Sequence, residues 1–109
     1  MKLHKRIRGQ KLPDGVVYIG RGSKWGNPFK VGDDGTRNHA EAVVNYKTYL
    51  YMTIKGNKLL LNINKLKGKD LACWCGEWEL GQPEIDCHGV VLMKLANKEI
   101  NYELKKDSE

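Results

Sequence analysis

Apolar side chains come in two arrangements along this chain, short unbroken runs and longer stretches at helical spacing, and their order predicts the fold. Val16-Val17-Tyr18-Ile19 is β-branched and aromatic, follows the turn-forming Pro13-Asp14-Gly15 and stops at Gly20, so it is expected to be a buried strand. A glycine-rich loop then leaves its carboxyl end, with Pro28 biasing Asn27 toward extended backbone. Beyond the polar turn Gly32-Asp33-Asp34-Gly35, the residues Ala40, Val43, Val44, Tyr46, Leu50, Tyr51 and Ile54 recur at helical rather than alternating intervals. Asn38 is placed to cap that helix, with Glu41 three residues later, and Gly56-Asn57 is expected to end it. A shorter helix is predicted over Lys58 to Leu66, where Leu59, Ile63 and Leu66 share a face, and Gly68 closes it.

Lys69 to Cys75 reads as a second buried strand, followed by an irregular, partly acidic loop through Glu77, Glu79, Gly81, Pro83 and Glu84. Asp86 is positioned to cap a third helix from Cys87 to Ala96, with Val91, Leu92 and Leu95 facing the core. Ile100 to Leu104 suggests a last strand, and residues 105–109 a fraying tail. This order predicts a small single α/β domain over residues 1–109, its core spanning about 12–104, with about three helices and a short, mainly parallel sheet. Ligands of such sheets bind beyond the carboxyl ends of the strands. The loop after Ile19 and the segment after Trp74 both leave strands at that end.

Composition narrows the class of partner. With 109 residues, 40% of them hydrophobic and 29% charged, the chain suits one globular domain with a modest core. Nineteen basic against 13 acidic residues give a formal charge of +6, which attracts anions, although a basic face also serves solubility. No apolar run approaches membrane-spanning length and the start lacks the apolar core of a secretory signal, so a cytoplasmic protein with no membrane contact is expected. Three cysteines cannot all pair within one chain, which agrees with a reducing compartment.

Those cysteines admit three readings. Cys73, Cys75, Cys87 and His88 have the number and type of ligands for a structural zinc, at a spacing unlike the usual Cys-x-x-Cys. Alternatively Cys87 is a nucleophile activated by a helix N-terminus, with His88 as its base, in an enzyme acting on a nucleotide or base. In the third reading the thiols pack as small apolar groups. On the expected strand, Cys73 and Cys75 point to one side and Trp74 to the other.

The loop after Ile19 suits a phosphorylated aromatic ligand. Arg21 can grip phosphate through its planar fork, Lys24 adds a point charge, and Ser23 can complete a cradle of backbone N–H groups. Trp25 can stack on a base, as can Trp74 on the neighbouring strand, while Asn27 can read a base edge and His88 stands on the facing helix. The competing reading packs Trp25 and Phe29 into the core and ties Arg21 to loop carbonyls. A homodimer matched to a two-fold symmetric ligand is the expected assembly. A zinc-stabilised module holding nucleic acid nonspecifically is a further alternative.

Val17-Tyr18-Ile19-Gly20-Arg21-x-Ser23-x-Trp25-Gly26-Asn27-Pro28-Phe29, with Leu71-x-Cys73-Trp74-Cys75 and Cys87-His88-Gly89-x-Val91-Leu92, resembles the motifs of a widespread family of small phage and bacterial proteins without an assigned function. The likeness covers about residues 16–97. Here the loop between Cys75 and Cys87 is longer and more acidic than is usual in that family, and Val90 stands where an acidic residue is usual. The resemblance implies a phage-type nucleotide binder, a sponge for a cyclic dinucleotide immune signal such as cyclic GMP–AMP that blocks host antiviral defence.

Overall fold

The computed structural model describes residues 1–97; the strand expected over Ile100 to Leu104 and the tail after it lie outside the described residues. The chain forms β1 (Lys2–Lys5), β2 (Val17–Tyr18), α1 (His39–Met52), α2 (Ile54–Leu61), a 3-10 turn (Ile63–Leu66), β3 (Leu71–Cys73), β4 (Trp78–Glu79) and α3 (88–97). The strands make one mixed sheet in the order β2-β3-β1-β4. β2 runs parallel to β3, pairing Val17 with Leu71 and Tyr18 with Ala72, as the order of elements predicts. It is an α/β fold. No helix among the described residues is long and apolar enough to cross a membrane.

Two strands were hidden by their composition. β1 lies inside the sheet, parallel to β3 and antiparallel to β4, although only Leu3 of its four residues is apolar. Leu3 is fully buried, so the core begins well ahead of residue 12. The acidic loop after Cys75 is likewise not wholly irregular: Trp78 pairs with Leu3, is almost fully buried, and donates its indole N–H to the carbonyls of Gln82 and Pro83.

The helices start and stop for local reasons. Asn38 caps α1 as its sequence suggests, its side chain accepting the Glu41 N–H at 2.9 Å. The buried face is Ala42, Tyr46 and Leu50, whereas Val44, Tyr51 and Ile54 are exposed. Helix α1 ends earlier than its apolar pattern implies because Thr53 breaks it. The Thr53 hydroxyl donates to the Tyr49 carbonyl and accepts the Gly56 N–H, closing one helix and opening the next. Gly56 is thus inside α2 rather than ending α1, and a Cβ there would collide with the backbone of Tyr49 and Leu50. The predicted second helix is displaced accordingly, to an α-helix over Ile54–Leu61 and a 3-10 turn over Ile63–Leu66.

Helix α3 begins one residue later than expected, and its cap is Cys87 rather than Asp86. The Cys87 sulfur accepts the Gly89 N–H at 3.4 Å. Gly89 lets α3 lie hard against the sheet, since a Cβ there would stand 2.9 Å from both Ile19 Cδ1 and Leu3 Cδ1. That close approach carries Cys87 and His88 to the carboxyl ends of β2 and β3.

Candidate functional site

The glycine-rich loop is built as a run of turns that fastens β2 to α1. The Ser23 hydroxyl and N–H both donate to the Gly20 carbonyl, and the Gly26 N–H donates to the Ser23 carbonyl. Trp25 is buried in the core, where its carbonyl accepts the Tyr46 hydroxyl at 2.8 Å. Asn27 works as a clamp, its Oδ1 accepting the Phe29 N–H and its Nδ2 donating to the Ala42 carbonyl in α1. The Arg21 guanidinium donates to the Phe29 carbonyl at 3.2 Å from an exposed position. Much of the polar chemistry read from this loop is therefore spent in holding its shape.

A cleft of about 490 Å³ opens beside it, within the usual range for small-molecule sites. Arg21, Asn27, Trp74 and His88 line the cleft, with Cys73, Cys75 and Cys87. Ser23, Lys24 and Trp25 are outside it; Lys24 stands with its ammonium 5.2 Å from the Trp25 ring centre. Strand β3 ends at Cys73, and a bend over Trp74 and Cys75 brings both onto the cleft, so Trp74 does not face away from the thiols as an unbroken strand would require.

Trp74 is 47% exposed but tethered. Its indole N–H donates to the Tyr18 hydroxyl at 3.0 Å, and that hydroxyl donates to the Arg21 carbonyl at 2.9 Å. The Arg6 guanidinium carbon lies 5.2 Å from the Tyr18 ring centre and 5.7 Å from that of Trp74, within cation–π range. Arg6 forms no ion pair among the described residues. Sequence reasoning missed it because it sits in a basic run that looks like a solvated face. Its signal was position, directly after a strand that the same run concealed.

The other wall is a cluster of sulfur and imidazole. Ligand atoms of Cys73, Cys87 and His88, all three buried, lie within 4.8 Å of one another, an arrangement that could hold a metal ion. Cys75 is exposed, and its sulfur is 3.6 Å from that of Cys73. Zinc–sulfur bonds of about 2.3 Å place tetrahedral sulfurs about 3.8 Å apart, so this spacing suits two ligands of one ion. Histidine is prepared in the same sense. His88 Nε2 lies 2.6 Å from the Ile19 carbonyl, which can only accept, so Nε2 carries a proton and Nδ1 is the nitrogen left to act as a ligand atom when the ring is neutral. A backbone carbonyl on the far nitrogen is the usual support of a metal-bound imidazole. The Tyr46 ring packs edge-on against His88 at 5.0 Å and fixes the ring further.

Crowding of the thiols spreads their acidities. Hydrogen bonds from Cys75 and then Cys87 hold the Cys73 thiol well below its ordinary value, against the opposing effect of burial. The same contact with Cys73 lifts Cys75 to about 11. Cys87 is pushed up most, by Cys73, Cys75 and burial in turn. Cys87 is also 1% exposed. So deep a position leaves little of this sulfur open to a substrate in the cleft.

Fold and site together define a small α/β domain with a Cys/His centre and a tethered tryptophan at the carboxyl ends of two parallel strands. The chain belongs to the family described as Domain of unknown function (DUF4326), which matches residues 3–98. It is also 31% identical over 103 residues to an uncharacterized protein of Acanthamoeba polyphaga mimivirus, an alignment covering 84% of this chain and 74% of the relative. No solved structure gives a significant match.

Proposed function

We propose that the cleft binds a small anionic ligand of the nucleotide class without turning it over, on a wall stiffened by a zinc ion held by Cys73, Cys75, Cys87 and His88. The observation that carries this reading is Trp74, a large aromatic side chain kept half exposed and held in one orientation by Tyr18 at the mouth of a cleft it shares with Arg21. Leaving about half of an indole in water forfeits on the order of 1 kcal/mol of burial, which stacking against a base returns on binding. Arg21 on the cleft wall and Arg6 over the Trp74 ring both supply positive charge. The chemistry matches a base joined to a phosphate.

One cleft offers one tethered tryptophan, enough for one base. A cyclic dinucleotide therefore asks for two copies of the chain, and a two-fold ligand is met most simply by a homodimer. In this reading the protein is a cytoplasmic sponge of viral type, taking a cyclic dinucleotide immune signal such as cyclic GMP–AMP out of circulation. The free cysteines agree with a reducing compartment.

Titration calorimetry against mononucleotides and cyclic dinucleotides tests the reading. Saturable binding is expected, at one mononucleotide per chain or one cyclic dinucleotide per two chains, with no product detectable by mass spectrometry. Trp74→Ala should weaken it about tenfold or more, the loss of one base stack. Absence of heat and of thermal shift across the whole panel would sink the idea.

A further inference from the structure

The four donors of the Cys/His centre are not equivalent. Cys73 ends a strand inside the sheet, Cys87 caps α3 through the Gly89 N–H, and His88 is fixed by the Ile19 carbonyl and the Tyr46 ring. All three are at least nine-tenths buried. Cys75 lies beyond the end of β3, is exposed, and lines the cleft. Its contact with Cys73 is the one side-chain hydrogen bond it makes among the described residues.

Closed structural zinc sites hold four rigid protein donors, whereas sites that take a ligand hold three and leave a position that exchanges. We infer that this centre is of the second kind: Cys73, Cys87 and His88 retain the metal, and Cys75 fills an exchangeable position through which a nitrogen or oxygen donor of a cleft ligand reaches it. In the exchange the metal–sulfur bond to Cys75 breaks and a bond to the incoming donor forms. The freed thiolate stays in the cleft. With Cys75 bound, a dication with three thiolates carries a formal charge of −1; an anionic donor replacing that thiolate leaves the charge unchanged. This inference rests on the zinc reading above and adds to it a direct route from metal to ligand.

The test uses the full chain loaded with zinc or cobalt(II). Wild type and Cys75→Ser should each hold about one metal per chain, while Cys73→Ser and Cys87→Ser should hold less than about a tenth of that. Imidazole, as an external nitrogen donor, should shift the visible bands of cobalt-loaded Cys75→Ser. In zinc-loaded wild type, brief iodoacetamide treatment followed by peptide mapping should label Cys75 at least about tenfold faster than Cys73 or Cys87, a comparison that needs no variant to fold. Loss of metal from Cys75→Ser to the level of Cys73→Ser, cobalt bands indifferent to imidazole, or equal labelling of the three thiols would each overturn the exchangeable position while leaving a metal site in place. A wild-type protein that holds no metal at all would remove the zinc reading and this inference with it.

Discussion

At the scale of single residues, side chains that look like ligand readers prove to be fasteners. Asn27 closes the loop on itself by accepting the Phe29 N–H and joins it to α1 by donating to the Ala42 carbonyl. Asn27→Ala should cost about 1–3 kcal/mol in urea unfolding, since it leaves the Phe29 N–H without its partner and removes the tie to the Ala42 carbonyl. The pair Asp70 and His4 gives a pH-dependent example. Asp70 Oδ2 lies 2.9 Å from His4 Nε2, and Oδ1 accepts the Lys2 N–H. The hydrogen bond from His4, foremost, holds Asp70 below the ordinary carboxylate value. A lowered folded-state pKa means stability that is fully present above the ordinary value and lost as pH falls through the lowered one. The side chain is 41% exposed, so solvent screening keeps the effect below about 0.5 kcal/mol. Asp70→Asn should accordingly flatten the acid limb of a stability–pH curve slightly and leave its slope near pH 8 unchanged.

At the scale of elements, what was legible in the sequence was what local pattern alone determines. β2 and β3 were apparent because unbroken apolar runs between turn residues have few other uses, and the Asn38 cap because its hydrogen bond is local. β1 was not apparent: a four-residue strand with one apolar position gains its place from Leu71 and Trp78, which lie 68 and 75 positions away, and nothing local records them. The site divides the same way. The Cys/His set was legible as a set of ligand types, but Arg6 was lost together with β1, and the burial of Trp25 depends on contact with Tyr46 in α1. Gly89 gives the sharpest test of packing at this scale. Alanine there gains up to about 1 kcal/mol of helix propensity, against about 1–3 kcal/mol for forcing a methyl against Ile19 and Leu3, whose side chains are fully buried and have no room to yield. Crowding wins, and thermal unfolding of Gly89→Ala should show a net loss of roughly 1 kcal/mol.

At the scale of the molecule, the proposed zinc site and the core are built from the same elements. The four donors come from β3, the bend after it and the start of α3, while the carbonyl that orients His88 belongs to Ile19 at the end of β2. One ion would therefore pin a helix to two adjacent strands. A domain of this size buries a smaller fraction of its surface than a large one, so such a tie carries a larger share of its stability. Structural zinc contributes its binding free energy to folding directly. If only about 3 kcal/mol of that appears in this fold, removing the ion lowers the melting temperature by roughly 12–20 °C for a domain near 100 residues. Dialysis of the full chain against a strong chelator under reducing conditions should therefore produce a large drop in Tm, and zinc, added back without chelator, should restore it. An unchanged Tm in a protein that has demonstrably lost its metal would mean that the core stands alone. The Cys/His centre would then serve the cleft and not the fold.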